Sequence, residues 1–164
     1  MVQRATISEQ TLMSAIASFI KLPKSALDGL RKAAVPKKRF LGAPKDTYYE
    51  YLRKQGREVA EYRWSGFVLV TLLPYLQQKH KIDLMKSEYA ELATFLTNAR
   101  RATHFISRQL DPGLFSEDEM RQYFNEFNAT NEQEIGRAML DGVAVFRESL
   151  GSLDHHTVVI FIVG

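Results

Sequence analysis

The 164-residue sequence predicts an all-α fold, an irregular bundle of about six or seven helices with one short C-terminal β-strand. Three observations predict it. First, Met85, Tyr89, Leu92, Leu96, Ala99, Thr103, Ile106 and Leu110 recur at gaps that alternate between four and three, the seam of an amphipathic helix over residues 83–110. At 1.5 Å per residue that helix would be roughly 40 Å long, a spine for the others. Second, helix-start signatures recur along the chain, in which a Ser or Thr stands three residues before an acid. Third, Thr157–Val163 differs in kind: five of its seven residues are Val or Ile, which suits a strand apolar on both faces.

Taken in order, Thr6 and Glu9 form the first capping box, and Leu12, Ile16, Phe19 and Ile20 mark the face of a helix that stops before Pro23. Ser25 and Asp28 start a short second helix with Leu27, Leu30 and Ala34 on its face, ended by Pro36. Residues 36–44 form a loop that carries Lys37, Lys38, Arg39 and Phe40. Asp46 caps a third helix whose face is Tyr48, Leu52, Gln55, Val59 and Tyr62, weakened at Gly56 by about 1 kcal/mol relative to alanine.

Ser65 opens a fourth helix that is apolar all round and interrupted by Pro74, with a buried strand over Phe67–Leu73 as the alternative. The spine ends at the turn Asp111-Pro112-Gly113. Ser116 and Glu119 then cap a helix through Tyr123, Phe124 and Phe127, with Phe115 and Met120 at the spacing of a hydrophobic staple. Asn131 and Glu134 open the last helix, whose face holds Ile135, Met139, Gly142, Phe146 and Leu150, and Gly151 ends it. Gly142 on that face permits close contact with another helix. The strand 157–163 must pair somewhere, with Phe67–Leu73, with a second copy of itself in a homodimer, or with another protein's sheet edge.

Composition narrows the function. One domain over residues 1–164 is the expectation for this length. No cysteine is present, which excludes disulfide scaffolds, thiolate zinc sites, iron–sulfur clusters and cysteine nucleophiles. The first ten residues hold no apolar core of signal-peptide length before Glu9, and the most apolar run, 67–76, is too short to span a bilayer. A cytoplasmic protein without a membrane partner is expected. The charge is divided: residues 1–82 hold 15 Lys and Arg against 6 Asp and Glu, and residues 83–164 hold 7 against 13.

On the spine, Arg101, His104 and Arg108 would stack on one side with Arg100 beside them, a cationic ladder able to hold a phosphate or a partner's carboxylates. Phosphate loops, dinucleotide fingerprints and nucleophile elbows are absent from the sequence, and His80, His104, His155 and His156 show no metal-ligand spacing. No catalytic residue, metal site or cofactor is therefore assigned. The expectation is a non-enzymatic domain that binds another protein, such as a small immunity or antitoxin-like inhibitor or an adaptor. Its partner-binding residues would be Lys37, Lys38, Arg39, Arg100, Arg101, His104 and Arg108, facing an acidic surface. One alternative is nucleic-acid binding through the basic N-terminal half, where Tyr48, Tyr49, Tyr51, Tyr62 and Trp64 are interleaved with Arg53, Lys54, Arg57 and Arg63. The other is an enzyme with a dispersed site around Arg100, Arg101 and His104.

Overall fold

The computed structural model describes residues 15–38, 40–43, 46–85 and 87–164. The all-α expectation is wrong. A four-stranded antiparallel sheet forms the middle layer, with strand order β2-β1-β4-β3 and helices on both faces. The strands are β1 (Ala17–Pro23), β2 (Arg57–Glu61), β3 (Thr103–Ile106) and β4 (Thr157–Val163). Six α-helices are present among the described residues: α1 (Leu27–Ala34), α2 (Tyr48–Gln55), α3 (Gly66–His80), α4 (Ala90–Asn98), α5 (Glu117–Asn128) and α6 (Ile135–Leu150).

The last strand has the expected boundaries, and its partners are β1 and β3 of the same chain. It is central, so both of its faces must be apolar. Val159 and Phe161 face α3, α5 and α6 together with Ala17, Phe19 and Ile106. Val158, Ile160 and Ile162 face α1, α2 and α4 together with Leu22 and Phe105. Backbone bonds extend the β1–β4 ladder to its end: Ile16 N–H to Gly164 O is 2.8 Å and the reciprocal bond is 3.0 Å. At the β1–β2 corner of the second face, α2 and the strands leave an open cavity of about 590 Å³ between them, with Ile16 exposed beside it.

Three predicted helices are redrawn. Ile16 precedes and Phe19 and Ile20 lie on β1; Thr6, Glu9 and Leu12 fall outside the described residues. The third helix stops at Gln55, and residues 57–61 become an edge strand. Gly56 is there for space: a Cβ on it would stand 2.4 Å from Ile20 Cγ2, so only glycine lets the helix end pass over β1. The spine is split. A 3-10 turn at Ser87–Tyr89 leads into α4, the chain turns through Arg100 at φ 60°, and Thr103–Ile106 continues as a strand.

Elsewhere the predicted caps are divided: Ser25 and Asn131 cap nothing, since α1 starts after Ala26 and α6 after Glu134, each without a side-chain cap bond, whereas two others hold. Residues 67–73 are helical, and Ser65 caps α3 by accepting from Phe67 N–H at 3.4 Å. Ser116 caps α5 by accepting from Glu119 N–H at 3.4 Å, with Glu117, Asp118 and Glu119 in the first turn, where acids favour the helix dipole. No helix of the described residues is long and apolar enough to cross a membrane.

Candidate functional site

The helices α1 and α2 form an antiparallel pair on the second face of the sheet. At one end the Thr47 hydroxyl meets Ala33 O at 3.4 Å, and at the other the Tyr51 hydroxyl donates to Ala26 O at 2.8 Å. Leu30, Ala34, Tyr48 and Leu52 are buried beneath them, so the polar residues of both helices face outward. Between the helices lies an open cleft of about 330 Å³ whose rim includes Lys32, Lys37, Thr47, Glu50 and Lys54.

The loop that joins the pair carries an exposed apolar pair. Phe40 is 102% and Leu41 85% exposed, the two most exposed large apolar residues among those described. Lys37 and Lys38 precede them and are exposed too. Arg39 lies outside the described residues.

The far end of the loop is braced from beneath. Asp46 accepts from Tyr48 N–H at 3.0 Å through Oδ1, which caps α2, and from Arg101 Nη2 at 2.7 Å through Oδ2. The Arg101 guanidinium lies 5.2 Å from the Tyr48 ring centre and 5.5 Å from that of Tyr49. Its side chain is mostly buried, and its Nε has no acceptor among the described residues. Burial pushes the Tyr48 hydroxyl up to about 12, and it pairs with the Thr103 hydroxyl on β3. Arg101 thus joins the entry of β3 to the start of α2, and its charge is already matched by Asp46.

The expected cationic ladder does not form, because its residues do not share a helix. Arg100 is exposed at the turn after α4, and Arg108 is exposed in the segment after β3. His104 and Arg101 belong to opposite faces of the sheet. The His104 ring lies on Phe161 with centroids 4.4 Å apart, on the side of α3, α5 and α6, and burial lowers its pKa. A dispersed site around Arg100, Arg101 and His104 therefore lacks a common focus.

Sequence reasoning placed Lys37 and Lys38 on the loop but did not join them to Lys32 and Lys54, or pick out Leu41 beside Phe40. The available signal was a Phe-Leu pair in a proline-bounded loop, with no helical partner at three or four residues to bury it. No protein-family model, curated protein or solved structure matches this chain.

Proposed function

We propose that this chain is a non-enzymatic protein-binding domain that docks on an acidic partner through the loop between α1 and α2. The observation that supports it is the adjacent, fully exposed pair Phe40 and Leu41 beside Lys37 and Lys38. Single exposed apolar residues are ordinary, but two consecutive ones hold a larger apolar surface in water. Burying each in a socket would recover about 1.5–3 kcal/mol. An apolar anchor with a charged rim is also the usual anatomy of an interface. The lysines favour a partner whose socket is ringed by Asp and Glu, and they would speed its encounter. Inhibitors and adaptors both work in this way.

The test is an affinity capture from a nuclease-treated lysate of the native host, comparing the unaltered chain with a Phe40→Asp, Leu41→Asp variant and a Lys37→Glu, Lys38→Glu variant. All four positions are exposed, so the fold is expected to survive, and circular dichroism checks this. The expected result is one stoichiometric acidic protein that the apolar variant loses and the charge variant binds more weakly. A partner retained equally by all three chains would overturn the reading. A second reading is favoured by the lysine-rimmed cleft: nucleic acid held by its phosphates, with affinity falling steeply as salt rises. Recovery of nucleic acid without nuclease, and of no protein with it, would select that reading.

A further inference from the structure

The cleft between α1 and α2 has a property that the docking reading does not need. Lys32 comes from the last turn of α1, Lys37 from the loop, and Lys54 from the last turn of α2. Three lysines from three different elements thus line one concavity of about 330 Å³. Among the described lining residues, three are lysines and one, Glu50, is an acid.

A lysine at a helix C-terminus is ordinarily explained by the helix dipole, and that accounts for Lys32 and Lys54 taken singly. It does not account for Lys37, which belongs to no helix, or for the presence of all three on one cleft. A cleft with walls of low polarisability concentrates the field of the charges at its rim and draws in counter-ions.

The shape narrows the anion. The pairs Ala33–Thr47 and Ala26–Tyr51 fix the helices side by side, so the cleft runs along their axes. From Thr47 to Lys54 is seven residues, which is roughly 10 Å of helix. Lys37 and Thr47 stand at one end and Lys54 at the other. A single small anion would meet one end only. Lysine is a compact point charge that suits phosphate without demanding the flat two-pronged geometry that arginine matches to a carboxylate.

We propose that the cleft between α1 and α2 is a binding site for an oligophosphate, a diphosphate or longer, held by Lys32 and Lys37 at one end and Lys54 at the other. The ligand lies along the groove, and Glu50 opposes it and limits its affinity. The site belongs to the isolated chain, so it stands or falls independently of any protein partner.

The experiment is a titration of the full chain with inorganic pyrophosphate at low salt, followed by amide NMR and by calorimetry. The expected result is saturable one-to-one binding with the largest shifts at Gly29, Ala33 and Thr47. Lys32→Gln, Lys37→Gln and Lys54→Gln should each weaken it roughly tenfold, the loss of one charge-assisted hydrogen bond. Glu50→Gln should tighten it, by removing the acid that faces the anion. Shifts that never saturate, or an affinity unchanged in the Lys32→Gln, Lys54→Gln double variant, would overturn the proposal. So would binding of a single-stranded oligonucleotide in the absence of pyrophosphate binding, which would assign the lysines to a nucleic-acid backbone.

Discussion

His104 lies on β3 with its ring flat against Phe161, and burial makes the charged imidazolium costly there, so its pKa is lowered from an ordinary 6.5. The consequence for stability has a definite sign. Below 6.5 the unfolded chain takes up a proton at this residue that the folded chain refuses until its own lower pKa is reached. Where the unfolded state binds more protons, stability rises with pH. The contribution of His104 is therefore complete above its unfolded pKa and is lost as pH falls through the window below it. Urea denaturation between about pH 8 and pH 5 should show this loss, and His104→Phe should remove it while leaving other groups' pH dependence in place. An identical pH profile in the variant would count against the burial account. Arg101 was legible as a cation but not as a partnered one, because Asp46 is 55 residues away in sequence. A charge shows in a sequence; what neutralises it does not, unless the two are close enough to share a helix face.

Among the elements, the four-and-three spacing over residues 83–110 marked burial for half of its residues, with Met85, Tyr89, Leu92 and Ala99 only half-buried, and misassigned its cause. Leu96, Thr103, Ile106 and Leu110 are all buried, Leu96 in α4 and Thr103 and Ile106 on β3. On β3, Thr103 and Ile106 point to opposite faces, and both are covered because helices lie on both sides of the sheet. A four-residue strand is too short for its alternation to compete with a helical period that continues on either side. The same ambiguity hid β1, where Ile16, Phe19 and Ile20 satisfy a helical spacing while Ala17 and Phe19 alternate against Leu22. Caps and turn residues were more legible, because Ser65, Ser116 and Asp46 act on backbone groups two or three residues away. Gly142 also does what its place on the α6 face implied: a Cβ there would stand 2.7 Å from Leu69 Cδ2 and 3.0 Å from Leu72 Cδ2. Gly136 is tighter, since its Cβ would stand 2.2 Å from the backbone oxygen of Glu117. Leucine tips can turn aside and a helix backbone cannot. Gly142→Ala should therefore cost about 1–3 kcal/mol and Gly136→Ala more, by chemical denaturation. The opposite order would mean that α5 and α6 yield more readily than the core beneath α3.

The whole molecule is closed by its last strand. β4 lies between β1 and β3, one near the start of the described chain and the other after α4, so no three-layer core exists until residues 157–163 are in place. Five consecutive residues, Val158–Ile162, are buried, and they divide between the two apolar clusters. A strand that served to recruit a partner would need an open edge for pairing. β4 has none, because both of its ladders are used within the chain. Pairing with a second copy or a foreign sheet through this segment would require the native sheet to come apart first. Phe161 alone packs against Phe19, Phe146 and His104, and Phe161→Ala should cost about 3–5 kcal/mol, a large part of the stability of an ordinary domain. Deleting Thr157–Gly164 removes every such contact on both faces at once. The expected outcome is a chain that loses its cooperative thermal transition and most of its circular dichroism signal, with no defined oligomer on gel filtration. A truncated chain that remained folded and merely changed its oligomeric state would show that the two helical layers hold without the strand between them.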